Sequence, residues 1–154
     1  MNIGIIVYSQ TGNTLSVAQK LKEAVLAQGH TAVLERVEAV NDAPNSKQPP
    51  QLTKAPDAYA YDAVLFGAPV HGFSLCPVMK LYLAQCQLRG KPVCCFVTQH
   101  LKKPWMGGNR AIKQMRALCG DKGADYRESG IVNWTAPGRD AQIGAVVTRL
   151  VKAL

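Results

Sequence analysis

Short apolar runs alternate with amphipathic stretches along this whole chain, and that alternation confines it to a layered α/β fold with a parallel sheet. The first run, Ile3-Gly4-Ile5-Ile6-Val7-Tyr8, is rich in β-branched residues and shows no polar alternation, as a strand buried on both faces requires. Gly12 follows, then a helical stretch with Leu15, Ala18, Leu21 and Val25 on one face and Gly29 just past its end. Residues 31–37 read as a second strand, 63–67 as a third and 93–97 as a fourth, with a weaker fifth within 125–134. A helix is expected over 74–88, with Ser74 as N-cap and Pro77 in its first turn. Another is marked by Ile112, Met115 and Leu118, and the last by the stripe Ile143, Val146, Val147, Leu150, Val151, Leu154. Pro44, Pro49, Pro50 and Pro56 interrupt residues 41–60, so a wandering connection is expected where a regular unit would place its second helix. Five strands and about four helices suit a doubly wound sheet of order 2-1-3-4-5 in one domain spanning 1–154.

Length and charge narrow the function. A chain of 154 residues with 47% hydrophobic residues can bury a core without staples. No apolar run reaches the ~18 residues of a membrane span, and no secretory leader pattern opens the chain, so membrane insertion is not expected and a cytoplasmic location is. The five cysteines (Cys76, Cys86, Cys94, Cys95, Cys119) form no CxxC pair, which argues against a disulfide framework or a metal site. They are expected to be buried thiols, with Cys76 the exception because it lies near a suspected site loop. The net charge is +8, concentrated in residues 99–127, where seven Lys/Arg (Lys102, Lys103, Arg110, Lys113, Arg116, Lys122, Arg127) face two acids, Asp121 and Asp125. Such a patch suits an anionic cofactor or an acidic protein, or is simply a solvated helix face. No nucleic-acid-binding signature accompanies it, so nucleic acid is not an expected partner.

In a doubly wound sheet, ligands bind beyond the carboxyl ends of the strands, where the strand order reverses. The loop there after the first strand is Ser9-Gln10-Thr11-Gly12-Asn13-Thr14. Hydroxyls and an amide flank one glycine, so backbone N–H groups can close on an anion at a helix N-terminus. It contains no lysine, unlike a P-loop, and no GxGxxG, unlike a dinucleotide fingerprint. It suits a dianionic monophosphate held by hydrogen bonds; the bland reading is a strand-to-helix turn with a Ser or Thr cap.

Tyr8-Ser9-Gln10-Thr11-Gly12-Asn13-Thr14 resembles the phosphate loop of the flavodoxin family, [ST]-x-T-G-N-T, at every fixed position. Residues 61–69 resemble that family's third strand and the start of its second flavin loop, and residues 91–98 its fourth strand. The resemblance implies a flavodoxin-like three-layer α/β/α sandwich with a five-stranded parallel sheet, and an FMN cofactor. It implies flavin-ring contacts for Pro69, Val70, His71, Gly72 and Phe73. A third loop follows the fourth strand: Thr98, Gln99, His100, then Trp105, Met106, Gly107 and Gly108. There the two glycines would present backbone N–H groups to the pyrimidine edge, and Trp105 would cover the ring or form a lid on its own loop. Phe73 is either a ring contact or a core residue, and His71 either a ring-side residue and candidate for a catalytic role or a plain loop histidine. Trp134 is expected to be structural.

The flavin carries the hard chemistry, so few catalytic side chains are needed and none besides His71 is singled out. The resemblance implies an FMN-binding electron-transfer protein. The alternative is an FMN-dependent NAD(P)H:quinone-type oxidoreductase acting on a small acceptor, and sequence leaves enzyme status open. Carriers of this family are acidic, whereas this chain is basic, so the expected partners are an acidic redox protein or a small anionic or quinone acceptor. Monomer and homodimer are both compatible with the sequence.

Overall fold

The computed structural model describes residues 1–100, 105 and 107–154. In chain order the elements are β1 (Asn2–Val7), α1 (Asn13–Ala27), β2 (Thr31–Arg36), β3 (Glu38–Val40), β4 (Gln51–Lys54), β5 (Ala63–His71) and β6 (Ser74–Leu75). There follow α2 (Pro77–Gln85), β7 (Pro92–Gln99), α3 (Gly108–Asp121), β8 (Asp125–Asn133) and α4 (Arg139–Ala153). Five strands run parallel in the order β2-β1-β5-β7-β8, which is 2-1-3-4-5 counted along the sheet-forming strands.

The unbroken apolar character of the central strands follows from burial on two faces. Ile3, Ile5, Val7, Ala63, Leu65, Cys94 and Phe96 point into one core with α1 and α4. Ile6, Tyr8, Val64, Phe66, Ala68, Val93, Cys95 and Val97 point into the other with α2 and α3. The alternation along each strand is the period of two that a pleated backbone imposes. Helix α1 stops as expected at Gly29, whose φ is +83°. Gly29 N–H bonds to Leu26 O at 3.0 Å and His30 N–H to Val25 O at 3.4 Å, the paired bonds of a Schellman motif.

Four expectations need correction. Ser74 does not cap α2: it lies in β6, and the helix begins at Pro77 after Cys76, one turn later than its apolar pattern suggested, and ends at Gln85. The buried stripe of α3 is Gly108, Ala111, Met115, Cys119, with Ile112 and Leu118 on its half-buried flanks. The 41–60 segment carries no α-helix, as the prolines dictate, but β3 and β4 pair as an antiparallel ribbon that brackets much of it. Cys76 is as buried as the other four cysteines. Burial pushes its thiol up to about 12, and those of Cys86 and Cys94 up to about 11. A disulfide-exchange chromogen should therefore titrate none of the five thiols in the native protein at pH 8, and all five in denaturant. Rapid native-state reaction of Cys76 would contradict its placement.

Among the described residues no helix is long and apolar enough to cross a membrane. No group of three or more metal-ligating side chains is gathered there either.

Candidate functional site

The order of the sheet reverses between β1 and β5, and the segments following β1, β5 and β7 converge at its carboxyl edge. Gln10, Thr11, Asn13, Pro69, Val70, His71, Thr98, Gln99 and His100 line one crevice there. All nine are residues that the sequence singles out, and they come from all three predicted loops.

The first loop is held by its own serine. Ser9 Oγ accepts hydrogen bonds from Gly12 N–H and Leu15 N–H, both at 3.2 Å, curling the chain back on itself. Gly12 takes a φ of +93° at the head of α1, a left-handed conformation that glycine adopts without strain. Its N-cap residue, Gly12, has no side chain to cap it, and no acid lies in its first turn. Among the described residues the amides of Thr11, Asn13 and Thr14 find no acceptor, as expected of the free N–H groups that open a helix. Such donors at the positive end of a helix dipole suit an anion. Thr14 itself is buried beneath the loop, and its Oγ1 lies 2.8 Å from Thr98 Oγ1, joining the first loop to the third. One hydroxyl of that pair donates to the other, and the acceptor keeps its own proton free to donate elsewhere.

The second loop is more regular than expected. Pro69, Val70 and His71 are the last residues of β5, and Val70 and His71 pair with Leu75 and Ser74 across a two-residue hairpin turn. Gly72 and Phe73 form that turn with φ values of +58° and +61°, the sign a tight hairpin demands at both positions. Phenylalanine holds this conformation at a cost of about 1–2 kcal/mol, yet its side chain is 59% exposed. That exposure removes the core reading of Phe73. His71 is half-buried, and burial holds its imidazole below the ordinary range, against the opposing pull of the Asp42 carboxylate.

Unfolded chains bind that proton more readily than folded ones, so stability from this group is full above pH ~6.5 and falls as pH drops through the folded value. Proton NMR should find His71 titrating below 6.5, and His71→Gln should flatten the acid-side slope of stability. A His71 titration at or above 6.5 would be incompatible with its burial here.

In the third segment, Thr98 and Gln99 close β7 and His100 follows in a bend. Leu101, Lys102, Lys103, Pro104 and Met106 lie outside the described residues, so the predicted Met106 contact and the two lysines do too. Trp105 is 69% exposed, which leaves it free of any packed lid. Gly107 is the N-cap of α3 with a φ of +118°, and a Cβ there would come within 2.7 Å of Phe73 Cα and 2.8 Å of Val70 Cγ1. The third loop thus packs directly on the hairpin turn, and only glycine fits the contact. Gly108 is already the first residue of α3, buried against Ile131 and Gln99. Trp134 packs on the α1/α4 core and carries the Arg139 guanidinium 4.4 Å from its ring centroid, a structural role as expected.

Three positioning residues were not identifiable from sequence. Arg36 Nη2 donates to Ser9 O at 2.9 Å, bracing the first loop from β2. Gln114 Oε1 accepts from Leu75 N–H at 2.8 Å and Ser74 Oγ at 3.0 Å, bracing the hairpin from α3. Asp42 Oδ2 accepts from Tyr8 Oη at 2.7 Å, and Asp42 O from Gln10 Nε2 at 3.4 Å, tying the 41–50 segment to the first loop. Burial and the Asp42 bond push the Tyr8 phenol well above its ordinary range. These residues carry no local signal, because their partners lie 26 or more positions away along the chain.

No family model and no curated protein sequence matches this chain. Solved structures do. A flavodoxin of Streptococcus pneumonia TIGR4 superposes with a TM-score of 0.73 at 15% identity, over 100% of this chain and 97% of that one. Oxidised flavodoxin 2 from Bacillus cereus gives 0.70 at 18% identity, over 100% of both chains. A flavoprotein in complex with FMN from Lactobacillus acidophilus NCFM gives 0.65 at 17% identity, over 94% of this chain and 97% of that one. With its parallel strands in the order 2-1-3-4-5 and helices on both faces, the chain has the fold of the flavodoxins.

Proposed function

We propose that this protein binds one FMN at the crevice and works as an electron-transfer protein. The observation that carries the reading is the convergence of the loop after β1 and the carboxyl ends of β5 and β7 on one crevice at the switch point. The head of α1, folded around Ser9, lies at its edge. The residues present fit the group: Thr11, Asn13 and Thr14 supply free amides for the phosphate, and His71 and His100 supply flat walls for a ring. FMN, when bound there, supplies one- and two-electron redox chemistry. The chain's residues orient it, exclude water and set the charge around it. The FMN complex of the Lactobacillus acidophilus flavoprotein supports the cofactor, as a protein of the same fold.

The partner we assign is acidic. Arg110, Lys113 and Arg116 are exposed along α3, whose N-cap Gly107 packs on Phe73 and Val70, and Phe73 and Trp105 are exposed as well. Cations around exposed aromatics suit a negatively charged docking face. A second reading, an FMN-dependent oxidoreductase acting on a small acceptor, draws support from a cleft of about 410 Å³ that shares His71 with the crevice.

The test is titration of the purified chain with FMN and with riboflavin, followed by flavin fluorescence. FMN should bind one to one, and riboflavin at least tenfold more weakly, because a single charge-assisted bond to phosphate contributes about 1.5–3 kcal/mol. No uptake of FMN, or equal affinity for both, would remove the reading. Steady NAD(P)H oxidation by the loaded protein with a quinone would select the enzyme, and rapid exchange only with an acidic protein the carrier.

A further inference from the structure

The cleft of about 410 Å³ lies between the 41–50 segment, the hairpin after β5 and the start of α2. It is built from residues that the crevice does not use, His71 excepted. Pro44, Pro50, Leu75 and Val78 give it apolar walls. Among the described residues its only formally charged side chains are Asp42 and Lys80, both half-buried. Each is already oriented: Asp42 accepts from Tyr8 Oη at 2.7 Å, and Lys80 Nζ donates to Ser74 Oγ at 3.0 Å. The carboxylate keeps a second oxygen and the ammonium two further protons for a ligand. Burial lowers the His71 pKa and so favours the neutral imidazole, and among the described residues the wall carries one negative and one positive charge with no excess of either.

That balance selects a ligand. An anion attracted by Lys80 is repelled by Asp42, and a cation the reverse, in a half-enclosed site where solvent screens poorly. A neutral group that both donates and accepts satisfies both at once. A planar carboxamide does so, offering C=O to the ammonium and N–H to the carboxylate, while its ring lies on the proline and aliphatic walls. We infer that this cleft is a binding site for a small neutral ring compound bearing a carboxamide-type edge, held between Asp42 and Lys80 beside His71. The site needs no flavin and goes beyond the FMN reading; its occupant would lie one side chain away from the crevice.

Three probes of equal size test it: benzamide, benzoate and benzylamine, the last a cation at neutral pH. Each is titrated to about 10 mM, the range in which fragments bind, into the full chain, with amide resonances as readout. Benzamide should shift resonances of the cleft residues, His71 and Leu75 among them, and bind at least fivefold more tightly than either ion. Asp42→Asn keeps an acceptor for Tyr8 but leaves the wall cationic, so benzoate should gain on benzamide by tenfold or more. Lys80→Met leaves it anionic, so benzylamine should gain instead. Amide dispersion shows that each variant is folded, and FMN uptake in the same samples reports separately on the crevice. No binding of benzamide, equal binding of all three probes, or an order unchanged by both folded variants overturns the inference, whatever FMN does.

Discussion

Gly67→Val should lower the unfolding free energy by about 3 kcal/mol or more, beyond ordinary overpacking. Gly67 lies in β5 between Val7 of β1 and Phe96 of β7. A Cβ there would come within 2.1 Å of Phe96 Cζ and 2.4 Å of Cε1. Phe96 is fully buried with its ring folded over the glycine, so the ring has no solvent-facing rotamer to retreat into. Strand β5 is paired on both sides and cannot shift alone. Phe96→Ala should itself cost about 3–5 kcal/mol through the cavity it leaves. In the double variant the valine occupies part of that cavity, so the two losses should fall short of their sum by about 1 kcal/mol or more. Urea unfolding of the four proteins measures this; strict additivity would mean that ring and glycine do not form the contact described. The damage should reach the crevice as well, because Gly67 O accepts from Tyr8 N–H at 3.1 Å, the bond that sets the start of the first loop.

The parts of this fold legible in sequence are those where a single physical pressure dominates. The run at residues 3–8 is apolar because both its faces are buried, and the α4 stripe has a clean helical period because one face is. The turn at residues 9–14 was legible because its hydroxyls and single glycine suit a tight entry into a helix, which Ser9 and Gly12 make. The hairpin after β5 was not. The third strand reads as ending at Gly67, yet β5 continues to His71, with Val70 and His71 pairing back to β6. The turn that makes this possible places phenylalanine at φ +61°, where glycine or asparagine is the usual signal. The start of α2 moved to Pro77 for the same reason, since Ser74 was already committed to the hairpin and to Gln114. Ribbon β3–β4 was hidden among prolines and exposed polar residues, where neither strand buries enough apolar surface to impose a pattern.

The buried hydroxyl pair under the first loop separates what holds the site from what binds. Thr14→Val removes one hydroxyl of the pair while keeping its shape, leaving Thr98 buried with a polar atom unmatched; about 1–3 kcal/mol of stability should be lost. Thr98→Val should cost a similar amount from the other side. With both replaced, no orphan remains and two isosteric methyls meet, so the double variant should recover most of that loss and stand close to wild type. Phosphate affinity should behave differently. Each single variant keeps one hydroxyl with its proton free, whereas the double variant has none, so FMN binding should weaken by tenfold or more in the double variant if a proton of the pair reaches the phosphate. A double variant that regains stability but not FMN affinity assigns the pair a direct part in binding. One that regains both makes it a brace between β7 and α1, with the anion held by the backbone amides of Thr11, Asn13 and Thr14 alone. A double variant as unstable as the sum of the singles would contradict the contact itself.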